Sequence, residues 1–165
     1  MKRFKLLLLF VFVVSLSCAQ GSPRLQAEGN IDGIAVAIDY GAPSVKGRTV
    51  WGGLEQYGKV WRAGANENTT VSFDKNVTIN GKDLSAGKYA FFIIPNEKGD
   101  WTVIFNKKND AWGAYSYNQE EDALRVDITP EFVDENQEQL LYSVGKNTVD
   151  FAWEKARLSI QVKGK

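Results

Sequence analysis

From Ile34 onward, apolar side chains recur at every second position, the period of a strand with one buried face rather than that of a helix. Ile34, Val36 and Ile38 alternate with small or acidic residues. Val71 and Phe73 alternate with Thr70, Ser72 and Asp74, and Leu124, Val126 and Ile128 with Arg125, Asp127 and Thr129. Val149, Phe151 and Trp153 share one face, and Leu158, Ile160 and Val162 follow after a short turn at Glu154-Lys-Ala. Turn-forming residues separate these runs at Asn80-Gly81, Lys98-Gly99-Asp100, Asn106–Asn109 and Gly145-Lys-Asn147. Gly87–Pro95 is apolar on both faces and closed by proline, which predicts a central strand covered on both sides. Only Pro130–Gln139, where Glu and Gln repeat, has the composition of a short helix.

About eight to ten short, mostly antiparallel strands must hide one face of each sheet, and two packed sheets or a closed barrel do so. The expected fold is all-β, a single-domain β-sandwich over residues 31–165, with a closed β-barrel as the alternative. Residues 20–30 carry low hydrophobicity and several turn formers, which predicts a flexible linker.

The N-terminus changes the picture from a bare domain to an exported one. Lys2, Arg3 and Lys5 precede an apolar run from Leu6 to Val14 and small residues around Cys18, the layout of a secretory signal. The run is well short of the roughly 20 residues that span a bilayer. Two routes stay open. A signal of residues 1–19 leaves a soluble chain, whereas a lipoprotein signal of residues 1–17 leaves Cys18 as an acylated first residue, the only route to a membrane. Ser15, where a lipobox usually has leucine, weakens the second. The expected location is periplasmic or secreted, or lipid-anchored to the envelope.

Cys18 is the single cysteine, so the exported domain has neither disulfide nor thiol nucleophile. The whole chain has 20 basic and 20 acidic residues; removal of Lys2, Arg3 and Lys5 leaves 20 − 3 = 17 basic, a net charge of 17 − 20 = −3. Such a balance argues against nucleic acid as a partner. Histidine is absent, which excludes a serine triad with an imidazole base and a histidine zinc site. No cofactor and no metal site is expected. Glu120-Glu121-Asp122 lacks the spacing of a calcium loop and reads as a solvated turn.

The densest polar equipment lies in Tyr57–Thr70. If Lys59–Ala63 is extended, Val60 and Arg62 share one face and Trp61 the other, and Gly64-Ala65 permits a reversal towards Asn66 and Glu67. This set serves either as a polar pocket for a carboxylate, phosphate or sugar hydroxyl, or as an ion-pair cluster tying the turn to the sheet. Among the aromatics, Trp101 and Trp153 belong to core strands. Trp112-Gly-Ala-Tyr115, after the polar loop Asn106–Asp110, is the best candidate for a stacking platform, and packing within the loop is its competing role. Glycoside hydrolysis would need Glu67 and a second acid, with Asp39, Asp110 and Asp122 all open.

Tyr57–Thr70, Ile79–Tyr89, Trp112–Tyr115 and Asp39–Ser44 with Lys46-Gly-Arg48 together resemble domain of unknown function 2911 across Ile34 to Val162. Trp61-Arg-Ala-Gly-Ala-Asn-Glu67 follows that family's Trp-Arg-x-Gly-x-Asn-Glu pattern, with Ala63 where threonine is commoner. The resemblance implies no activity. The residues themselves lead to an extracytoplasmic, non-catalytic domain binding a small polar ligand, glycan or envelope partner at Arg62, Asn66, Glu67, Trp112 and Tyr115. An envelope hydrolase using Glu67 and a structural lipoprotein subunit are the alternatives.

Overall fold

A computed structural model describes residues 21–165; the expected leader and Cys18 lie outside the described residues. The strands are β1 (Arg24–Ile31), β2 (Ile34–Gly41), β3 (Thr70–Phe73), β4 (Val77–Ile79), β5 (Lys82–Leu84), β6 (Gly87–Ile94), β7 (Trp101–Asn106), β8 (Asp122–Ile128), β9 (Glu131–Val144) and β10 (Thr148–Gly164). One antiparallel sheet has the order β1-β2-β3-β6-β7-β8, the other β5-β4-β10-β9. They form a β-sandwich and do not close into a barrel. β10 doubles back on itself: Glu154 takes a positive φ of 50°, and the Val162 amide donates to the Asn147 carbonyl at 2.9 Å. The expected turn at Glu154 is therefore present.

The alternating positions supply the core. Ile38, Val71, Phe91, Val103, Phe151, Trp153 and Ile160 are all buried in one cluster between the sheets. Trp51, Trp61, Trp101 and Trp153 gather there with ring centroids 4.5 to 5.7 Å apart. From Tyr89 to Ile93, β6 is buried on both faces, as its composition predicts. Tyr89, Phe91 and Ile93 enter the main core, while Ala90 and Phe92 join Ile104 in a second cluster on the outer face, covered by Val60, Ala114 and Tyr117. That cover reaches only part of the outer face.

Two expectations are corrected. Residues 20–30 are not a linker throughout, because Arg24–Ile31 pairs residue for residue with Gly41–Ile34. An edge strand with a solvated outer face is held by ladder hydrogen bonds and needs few apolar residues, so its composition looks like a tether. Pro130–Gln139 is not a helix. β9 begins at Glu131, and its residues pair with β10 at Ala156↔Phe132, Glu154↔Gln137 and Ala152↔Leu141. Pairing partners far along the chain override the local helix preference of Glu and Gln.

Candidate functional site

Trp61 exchanges backbone hydrogen bonds with Ile93 of β6 at 2.8 and 2.9 Å, and the Thr69 carbonyl accepts from Phe91 at 2.8 Å. Between these two anchors the chain leaves the sheet. Ala63 and Asn66 adopt left-handed φ values of 50° and 65°, the first unusual for a residue with a Cβ. The Ala63 carbonyl is fixed from two sides, by the Tyr142 hydroxyl at 2.8 Å and the Thr69 hydroxyl at 3.1 Å. Burial pushes the Tyr142 hydroxyl well above the ordinary tyrosine range, keeping it a donor at any physiological pH. Ala65 then crosses the end of β2, its amide donating to Gly41 at 3.1 Å.

Residues 66–68 run against 111–113 as a short antiparallel pair, with Glu67 opposite Trp112. The Asn68 amide donates to the Ala111 carbonyl and the Gly113 amide to the Asn66 carbonyl, both at 3.1 Å. Asn68 is only 2% exposed, and its side chain completes the clamp. Oδ1 accepts from the Ala111 amide at 2.9 Å, and Nδ2 donates to the Gly113 carbonyl at 2.6 Å. Trp112 is thus gripped on both sides through its neighbours' backbone and remains 58% exposed; Tyr115 is 90% exposed. Trp51, Trp61, Trp101 and Trp153 are all buried, so Trp112 is the one exposed tryptophan among the described residues.

Below Trp112 opens a groove of about 330 Å³, into which Arg24, Glu67, Lys88, Asn109 and Asp110 also face. Arg24 holds one wall: Nε pairs with Asp39, while Nη2 donates to the carbonyls of Asp39 at 3.1 Å and Asn68 at 2.8 Å. Glu67 is exposed, and its side chain enters no ion pair or hydrogen bond among the described residues.

Of the five expected site residues, Glu67 and Trp112 line the groove together. Tyr115 stands beside it, its ring within 3.4 Å of where a Cβ on Gly113 would lie. Asn66 serves the backbone, with Nδ2 reaching the Ser22 carbonyl at 3.5 Å. Arg62 does not line the groove and forms no salt bridge with Glu67. Its Nη1 lies 3.0 Å from the same Cβ position on Gly113, which has φ 64°, and its Nε is buried without a hydrogen bond. Any side chain at residue 113 would meet both that φ and the guanidinium.

Of the acids considered beside Glu67, Asp110 shares its groove and Asp39 is taken by Arg24. Asp122 accepts from the Tyr117 hydroxyl at 2.6 Å and from the Asn106 side chain at 2.8 Å. Among the described residues no three metal-ligating side chains gather.

Three residues escape sequence reading. Arg24 lies in the stretch read as linker, Lys88 comes from β6, and Asn68 is one of several amides. Glu55 is a fourth finding. Desolvation raises its carboxyl to about 7, against the opposing pull of Arg62 and Arg48. An unfolded glutamate ionises near 4.5 and the folded one near 7, so native stability falls as pH rises between those values and is level on either side. Glu55→Gln is therefore expected to raise the melting temperature at pH 8 and leave it unchanged at pH 4. Equal shifts at both values would remove the carboxyl as their cause.

No curated protein and no solved structure matches the chain. The family described as "Protein of unknown function (DUF2911)" matches residues 22–162, and the chain belongs to it.

Proposed function

We propose that this protein is an exported, non-catalytic binding domain whose ligand is a small polar molecule or glycan seated against Trp112. The observation that carries the reading is an exposed tryptophan whose flanking backbone is clamped by the buried Asn68 side chain, above a groove lined by charged and amide side chains. Exposing a large aromatic sacrifices burial, and fixing its backbone in advance lowers the entropy lost when a ring stacks on it. A sugar offers a flat C–H face to the indole and hydroxyls to Arg24, Glu67, Lys88 and Asn109. Export rests on the leader-like residues 1–19.

Binding fits the site better than hydrolysis. The Asp110 side chain is 81% exposed, Glu67 is exposed as well, and nothing shields either from water. The test is a titration of full-length protein with cello- and chito-oligosaccharides, read by tryptophan fluorescence and calorimetry. Trp112→Ala is expected to weaken binding at least tenfold, about 1.4 kcal/mol, with an unchanged melting temperature. Glu67→Gln, which removes no contact within the fold, should keep stability within about 0.5 kcal/mol. Absence of saccharide binding by the wild type sinks the proposal. Turnover of a glycoside that disappears in Glu67→Gln would replace it with the hydrolase.

A further inference from the structure

The outer face of the six-stranded sheet is only half covered. The Val60 and Ala114–Tyr117 segments lie over β6 and β7, whereas β1, β2 and β3 are left open. On that open half the register aligns one outward residue from each strand: Glu28 opposite Ala37, Ala37 opposite Ser72, and Ser72 opposite Lys88. This row crosses four strands, a distance of about 14 Å at the usual strand spacing of roughly 4.8 Å. Its middle is low, because Ala37, Ser72 and the neighbouring Ala35 are small, and its ends are raised by Glu28 and Lys88. The resulting trough, about 440 Å³, also borders Asp74. Lys88 lines both this trough and the groove under Trp112, so the two adjoin at its side chain.

We propose that these two adjoining hollows together take one linear oligosaccharide of equatorially linked pyranoses, lying across the strands from Trp112 over Lys88 to Glu28. This deepens the binding function above and rests on it. The chemistry of this combined site selects such an occupant. The trough floor carries a hydroxyl and methyl groups without a large apolar side chain, so it offers little to a hydrophobic peptide or a lipid. The rim mixes the two signs along its length, with Glu28 and Asp74 bordering the trough, Lys88 between the hollows, and Arg24, Glu67 and Asp110 around the groove, so neither a polyanion nor a polycation meets a field of one opposite sign. A neutral chain of hydroxyls donates to the carboxylates and accepts from Lys88, whose ammonium forms no ion pair among the described residues. Equatorial linkages make the chain a flat ribbon, which matches the level floor and presents a ring face to Trp112.

The experiment measures affinity against chain length, from mono- to hexasaccharide in both the cello and chito series. Full-length wild type, Ala37→Arg, Glu28→Ala and Trp112→Ala are compared, with melting temperature and solution mass recorded for each. Wild type is expected to bind a hexasaccharide at least tenfold tighter than the disaccharide. Ala37→Arg, which fills the floor, should bring hexasaccharide affinity down to that of the disaccharide, and Trp112→Ala should weaken every length. If Ala37→Arg does not fold, Glu28→Ala, at the end of the trough away from Trp112, gives the same readout as a roughly threefold loss confined to the longer chains. Length-independent affinity overturns the trough and leaves binding at Trp112 standing, as does a dimer that seals this face. Failure of every length to bind removes both proposals.

Discussion

Gly41→Ala is expected to destabilise the protein by about 3 kcal/mol, the upper end for forcing atoms into a packed interior, and to abolish saccharide binding with it. Gly41 ends β2 where Ala65 passes over it, and the Ala65 amide donates to the Gly41 carbonyl. A Cβ on Gly41 would fall far inside van der Waals contact with the Ala65 carbonyl oxygen, with the carbonyl carbon at 2.9 Å. The obstacle is backbone, which cannot swing away as a flexible side chain would. Relief requires the 64–68 excursion to lift, and that excursion is one half of the Trp112 clamp. Stability and binding should therefore fall together. Gly21→Ala is the control, since nothing lies within 4 Å of its Cβ position. Urea unfolding measures the difference. A change below about 0.5 kcal/mol would mean that the crossing relaxes freely and does not position the site.

The two crossing backbones mark the limit of what is legible in the sequence. The period-two runs locate β2, β3, β8 and both arms of β10, and Asn80-Gly81 marks the turn between β4 and β5, with φ of 46° and 80°. These signals are local: each strand carries its own alternation and each tight turn its own residues. β1 and β9 are illegible because their identity comes from partners elsewhere in the chain. Glu and Gln on an exposed edge look the same in a helix, a tether or a strand. The site divides in the same way. Trp112 and Glu67 are recognisable as unusual residues in a polar stretch, but that they face each other depends on where the 64–68 excursion lands. Arg62 has the look of a ligand-gripping guanidinium, yet a single reversal at Ala63 sends the following residues to the groove and leaves Arg62 beneath Gly113. Lys88 belongs to the site only through strand register, which no local pattern encodes.

Asn68 carries the second large effect. Asn68→Ala removes two hydrogen bonds and strands the Ala111 amide and the Gly113 carbonyl, for an expected loss of about 2 to 3 kcal/mol. Because the cavity is polar on both sides, the chemistry of the replacement discriminates the clamp from simple packing. Asn68→Asp keeps an acceptor for the Ala111 amide but turns a carboxylate oxygen towards the Gly113 carbonyl, so at pH 7 it should be the worse of the two. Protonated, that carboxyl can donate to Gly113 and restore both bonds. Its folded-state pKa must therefore lie above the unfolded value near 3.9, and its stability deficit should grow as pH rises from about 4 towards neutrality. Asn68→Ala should show no such slope relative to wild type. Both variants should loosen Trp112, seen as weaker saccharide binding even where the protein stays folded. If Asn68→Asp matches the wild type across this range, the amide is not what holds the tryptophan, and the rigidity of the site must come from the 66–113 backbone pairing alone.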